Sequence, residues 1–362
     1  MENRSSPVFD NDSTPQNMTY LPPDDEDVCT DLYSFITVCI SYVTIPISAV
    51  GICGNIVILI TFTKIGFLEP INISYCALAV SDILGVLFLM WNSICSILDF
   101  QKSDIPFEAL QISLPTGGAI FDIFNGTTAW LTAYVSLERC LCVVFPLKIK
   151  RILTHRKSII VIASLFTIIG VPLLCANFIL FQFEFQFDSE TNRTVLNAKN
   201  LKDSSHGLYS FVYLYKFAVL NLLSLTIILV CSSILAVRVR RSAKFRMTAS
   251  AVPTNQMPGA DPFDDRTRRK FIADMRVSKI VLSIASISIL LGCLNATRTL
   301  LVMVWPDFRP TPDHNIFIVA SKLLSLLYLV NSSVNFFIFY MMGSKFRRTV
   351  QQLHCSLARP QK

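Results

Sequence analysis

Hydrophobic and polar positions in this chain are segregated into long blocks. Apolar stretches cover roughly 34–63, 72–98, 113–144, 158–181, 208–237, 277–304 and 315–341. Each exceeds the ~20 residues that carry a helix across a ~30 Å hydrocarbon layer, where only a helix or a closed barrel satisfies its own backbone. The pattern predicts an all-α fold, a seven-transmembrane helix bundle over residues 33–342. Residues 1–32 are polar, acidic and Pro-containing, the composition of a disordered tail. They lack the apolar core of a cleavable signal, so the first span is expected to act as its own insertion signal. After the seventh span, Phe346, Val350, Leu353 and Leu357 recur at helical spacing among basic residues. Residues 343–362 are therefore expected to hold an amphipathic helix on the anionic inner leaflet, in contact with membrane lipids, and a short tail. Cys355 near its end is a candidate palmitoylation site, or simply a free thiol.

Charge then orients the bundle. The chain is 52% hydrophobic and 16% charged, with a net charge of +7. A basic balance can signal nucleic-acid binding, but here the bases sit between spans, so no nucleic-acid partner is expected. Lys148, Lys150, Arg151, Arg156 and Lys157 follow span three; Arg238, Arg240, Arg241, Lys244 and Arg246 follow span five; Lys345, Arg347 and Arg348 follow span seven. Basic loops mark the cytoplasm, which puts the N-terminus outside and the C-terminus inside. Asn3, Asn11, Asn17 and Asn192 each begin an Asn-x-Ser/Thr triplet and all fall outside, as candidate glycosylation sites. The third inner loop has a linker-like centre between two flanks that read as helical extensions of spans five and six. The eleven cysteines fall mostly inside apolar blocks with no metal-ligand spacing, and the four histidines are scattered. No catalytic constellation is visible, so no enzyme activity is expected.

The remaining chemistry is polar groups at membrane depth, which are costly there and usually functional. Asp82 lies mid-span, with Asn55, Thr128, Asn331, Ser332 and Asn335 at comparable depth. Glu138 and Arg139 end span three, followed by Cys140, Pro146 and Leu147; the plainer reading of the pair is an ion pair snorkelling to the headgroups. Asp122 precedes Arg139 by seventeen residues, about 25 Å toward the outside at 1.5 Å per residue.

Gly54-Asn55 in span one, LAVSD in span two, SLERCLCVVFPL in span three, and NSSVNFFIFY followed by KFRR in span seven resemble the rhodopsin-like (class A) G-protein-coupled receptors. The resemblance covers residues 34–355. NSSVNFFIFYMMGSKFRR and ERCLCVVFPLK are most similar to invertebrate receptors of the neuropeptide type and to molluscan receptors described as chemosensory. The resemblance implies a plasma-membrane receptor that turns binding of an extracellular ligand, a peptide or a small chemosensory molecule, into activation of a heterotrimeric G protein, with arrestin as a further partner. It implies that Glu138 holds Arg139 at rest, and that Arg139, Cys140, Pro146 and Leu147 face the G protein. It also implies a sodium ion at Asp82 with Thr128, Asn331, Ser332 and Asn335; a hydrogen-bonded core without an ion is the alternative.

The sequence departs from the family at several points. Leu114 stands where span three usually has a disulfide-bonded Cys, and the loop from Gln182 to Gly207 has no Cys. Cys29 and Cys95, both near the outer surface, are the other conceivable pair. Phe336 and Phe339 replace the usual Pro and Tyr of span seven, span five has no Pro, and span six lacks the usual Trp and Pro. Weaker kinks are the expectation, with Gly292 supplying flexibility in span six.

On the ligand side, Asp122 and Arg298 are candidates to bind opposite ends of a charged ligand, or to form a salt bridge with each other. Lys216, Lys322 and Tyr213 are further ligand candidates; for the lysines snorkelling is the plainer reading, and for the tyrosine an interface belt. A multi-span transporter or channel is the competing class, but neither a repeat nor Gly/Pro-broken helices are visible.

Overall fold

The computed structural model describes residues 25–145, 153–188, 193–201, 206–250, 262–304 and 315–357. Asn3, Asn11, Asn17, Asn192, Pro146 and Leu147 lie outside them, as do residues 1–24 and the centre of the third inner loop.

Seven helical spans follow in order. Span one is Asp25–Ile65 and span two Pro70–Cys95. Span three is built from Ala109–Ser113, a π-helical stretch Leu114–Gly118, and Ala119–Val144. Span four is His155–Leu180. Span five joins His206–Tyr215, a second π-helical stretch Lys216–Leu223, and Ser224–Ser250. Span six is Pro262–Val304 and span seven Asn315–Met342. Spans five and six continue past the bilayer as the basic flanks anticipate. The helix of span one starts earlier than expected, at Asp25.

Why a membrane rather than a water-filled exterior follows from burial. Only 28% of the most apolar window of span one, and 28% of that of span four, is buried inside the bundle. Ile160, Phe178, Leu290 and Met341 point outward. An apolar belt of this extent is stable only against lipid. Six spans are long and apolar enough to cross a membrane on composition alone. The third is the exception, since it carries Asp122, Asn125, Glu138 and Arg139. It can do so because it stands at the centre, packed by spans two, four, five and six.

Two glycines close the turns at the cytoplasmic side. Gly66 ends span one with φ of 86°, a left-handed cap open to glycine at little cost, and Asn72 Nδ2 donates to its carbonyl at 2.8 Å. At Gly343 a Cβ would lie 2.6 Å from the Phe339 carbonyl oxygen. The chain turns there into the helix Ser344–Leu357. Phe346 buries against Phe62, Phe336 and Phe339, while Lys345, Arg347 and Cys355 stay exposed. This is the amphipathic element expected from the spacing.

The outer face holds what the sequence reading passes over. Strands β1 (Phe181–Asp188) and β2 (Arg193–Asn200) form an antiparallel hairpin, in register from Phe181↔Asn200 to Asp188↔Arg193. Leu196 of β2 bridges back to the first outer loop: its N–H donates to Pro106 O and its carbonyl accepts from Glu108 N, both at 2.9 Å. Arg193 adds an ion pair with Asp104. Just below, Asn177 Nδ2 donates to Pro115 O at 3.0 Å, and Trp91 Nε1 to Thr116 Oγ1 at 3.0 Å. Backbone pairing and side-chain bonds thus tie the hairpin and the top of span three together without the disulfide that Leu114 rules out. The Cys29–Cys95 alternative is not made: Cys95 is a free, buried thiol.

The expectation of weaker kinks also needs amending. Spans three and five are distorted, but by π-helical stretches, one of which contains Pro115, Gly117 and Gly118. Such bulges distort a helix without a mid-span proline.

Candidate functional site: an outer cavity, a polar core and a buried arginine

Spans three, five, six and seven surround a narrow cavity whose roughly 700 Å3 of empty space includes open solvent at its mouth. Asp122, Lys216 and Arg298 line its walls with Asn125, Asn221, Asn295 and Thr299. Asp122 pairs with Lys216, Nζ to Oδ2 at 2.7 Å. The Asp122–Arg298 salt bridge is therefore not made, although both residues face the same space. The π-helical stretch that begins at Lys216 carries this ammonium on the bundle side of span five. Arg298 instead donates to Ser321 Oγ at 3.3 Å and Asn295 Oδ1 at 3.2 Å, and lies over the Phe317 ring.

Lys322 and Tyr213 are not among the cavity's walls. Lys322 does not snorkel either: Nζ donates to Asn92 Oδ1 at 2.9 Å and Ser96 Oγ at 2.8 Å, tying span seven to span two. Tyr213 stacks on Tyr209, with ring centroids 5.8 Å apart. Sequence reasoning missed Asn125, Asn221, Asn295 and Tyr328. The first three are carboxamides inside apolar runs, and the rule that singled out Asp82 would have found them. Asn295 Nδ2 donates to Asn221 Oδ1 at 2.6 Å, joining spans five and six.

Thr128 and Asn331 form the cavity floor, and they also belong to the layer beneath. There Asp82, 5% exposed, accepts from Thr128 Oγ1 and Asn335 Nδ2, each at 2.9 Å. Ser332 reaches the same carboxylate, and Asn55 Nδ2 donates to Ser332 Oγ at 3.2 Å. The side-chain oxygens of Asn55, Asn331 and Asn335 are buried without a hydrogen-bond partner. A carboxylate, hydroxyls and unpartnered amide oxygens are the donor set of a hard cation. Thr128, Ser332 and Asn335 are thus brought to Asp82, while Asn331 lies at the cavity floor, and oxygens of these kinds fit a sodium ion.

At the cytoplasmic end Glu138, Arg139 and Cys140 are all buried, at 2%, 7% and 6% exposure. Among the described residues Glu138 makes no direct ion pair with Arg139. Its Oε2 accepts from Ser74 Oγ of span two at 3.1 Å. Successive residues on a helix point about 100° apart, so adjacent charges do not face each other. The Arg139 Nε is buried without a partner.

A family model for the seven-transmembrane receptors of the rhodopsin family matches residues 54–339. The chain belongs to that family. It is a class A G-protein-coupled receptor, and hence a multi-pass membrane protein. The crystal structure of squid rhodopsin is similar to this receptor in fold, with a TM-score of 0.62 over 91% of this chain and 87% of that one, at 18% identity. A search of curated proteins finds no match.

Proposed function

We propose that this receptor binds an extracellular ligand, a peptide or a small chemosensory molecule, in the outer cavity and activates a heterotrimeric G protein at its cytoplasmic end. The observation that carries this reading is the placement of both sites on one helix. Asp122 faces the cavity and Arg139 stands buried with its Nε unpartnered at the far end of the same central span, about 25 Å apart at 1.5 Å per residue. A shift of span three or its neighbours at one end therefore reaches the other. Glu138, Arg139, Cys140, Pro146 and Leu147 form the coupling surface in this reading, at the plasma membrane, with arrestin as a second cytoplasmic partner. Asn3, Asn11, Asn17 and Asn192 carry glycans and Cys355 a palmitoyl chain.

The test is nucleotide exchange with the full chain in lipid vesicles and a panel of purified G proteins. Wild-type receptor should accelerate exchange on at least one of them, and Arg139→Ala should abolish that while reaching the cell surface normally. Vesicles that leave every exchange rate at its receptor-free value, or that pass solute or current instead, would overturn the reading in favour of a transporter or channel.

In the same reading Asp82, Thr128, Asn331, Ser332 and Asn335 hold a sodium ion, which supplies the counter-charge that the carboxylate's neutral hydrogen-bond donors do not. Asp82→Asn should then remove the sodium dependence of thermal stability seen in the wild type. An equal sodium response in both proteins would leave a hydrogen-bonded core without an ion.

A further inference from the structure

The charges around the outer cavity do not cancel. Asp122 is already engaged by Lys216. Among the described residues the other ionised residue on the wall is Arg298, so their lining carries a cation in excess. Its guanidinium has five N–H donors. Among the described residues they meet two neutral oxygens, those of Ser321 and Asn295, and its Nε is buried with no partner. A planar, under-satisfied fork in a partly dry site is matched by an oxyanion with two oxygens in one plane.

Resting on the assignment of this cavity as the ligand site, we infer that the ligand is an anion whose carboxylate is bound by Arg298. The walls argue for a carboxylate with a body attached. Leu220, Leu225 and Ile228 line the space below, and it continues to Asn331 at the floor. Gly292 lets spans five and six pack closely beside this space: a Cβ there would lie 3.2 Å from the Leu225 side chain. A carboxylate at Arg298 with a short apolar stem against Leu220, Leu225 and Ile228 fits this lining. An amine competes poorly, because it would have to take Asp122 from Lys216 and leave two cations facing it. The carboxylate could belong to a free organic acid or to the C-terminus of a peptide, and the chemistry at Arg298 is the same for both.

The experiment is the melting temperature of the full-length receptor in lipid nanodiscs, titrated with butyrate, butyramide or butylammonium at constant sodium and ionic strength. Butyrate should raise the melting temperature saturably, and the other two should not. Arg298→Gln should weaken the apparent butyrate affinity at least tenfold; Arg298→Lys, which keeps the charge but loses the fork, should weaken it by a smaller factor and serves as the reporter where Arg298→Gln does not fold. A tetrapeptide with a free C-terminus that displaces butyrate, when its amidated form does not, assigns the source as a peptide end; displacement by neither assigns a free acid. The inference is overturned by a butyrate response that is absent, non-saturable, matched by butyramide, exceeded by butylammonium or unchanged in both Arg298 variants. The readout needs no G protein, so its failure and a failure of the exchange assay are separate results.

Discussion

Asp122→Asn should destabilise the receptor by about 2–3 kcal/mol, and Lys216→Met by a similar amount. Removing one partner of a fully enclosed ion pair typically costs about 3–5 kcal/mol, because the other charge is left buried and unpaired. Here a third of the Asp122 side chain, 33%, is open to the cavity, so water recovers part of that cost. The check is thermal unfolding of purified single variants beside the swap Asp122→Lys with Lys216→Asp. The swap restores opposite charges at the same pair of positions and should melt above the less stable single variant. A swap no better than that single variant, or two singles indistinguishable from wild type, would show that the 2.7 Å contact contributes nothing to holding spans three and five together.

This pair also shows how far the sequence could be read. That Asp122, Lys216 and Arg298 sit toward the outer ends of their spans follows from counting residues, and all three line one cavity. Which carboxylate meets which cation did not follow. Pairing depends on helix rotation, and in span five the rotation is reset by the π-helical stretch beginning at Lys216. No residue type in KFAVLNLL announces that stretch. The same limit applied at Glu138 and Arg139: the motif located both, but the partner of Glu138 turned out to be Ser74, a hydroxyl on another span that is far away in sequence. Asp82 was easier. Every group able to satisfy a mid-membrane carboxylate had to be polar and at the same depth, and few residues in the chain qualify.

The hairpin is a different kind of miss. FQFEFQF alternates strictly, the period of a half-buried strand, yet it abuts an apolar span and continues its hydropathy. Phe183, Phe185 and Phe187 are exposed on one face. What makes the segment a strand is its partner, RTVLNAKN, together with the hold that Leu196 takes on Pro106 and Glu108. Those contacts tie the hairpin to the loop entering span three, and only three-dimensional structure shows them.

Phe339→Ala should cost about 3–5 kcal/mol, the range for deleting a large buried aromatic from a close-packed core. Phe339 is 2% exposed. Its ring lies 4.7 Å from that of Tyr75, 5.2 Å from that of Phe62 and 5.7 Å from that of Phe346, measured between centroids. Spans one, two and seven and the amphipathic helix therefore meet at one side chain. The cavity left behind cannot collapse easily, because Gly343 N–H donates to the Phe339 carbonyl at 2.8 Å and fixes the turn beside it. Phe337, two residues earlier and 55% exposed toward lipid, is the control: Phe337→Ala should change the melt little. Since Phe346 shares the cluster, the double variant Phe339→Ala with Phe346→Ala should lose less than the sum of the singles. Additive losses, or a Phe339→Ala penalty no larger than that of the Phe337 control, would mean that the four rings do not act as one packed unit and that the amphipathic helix is held at the membrane by its lipid contacts alone.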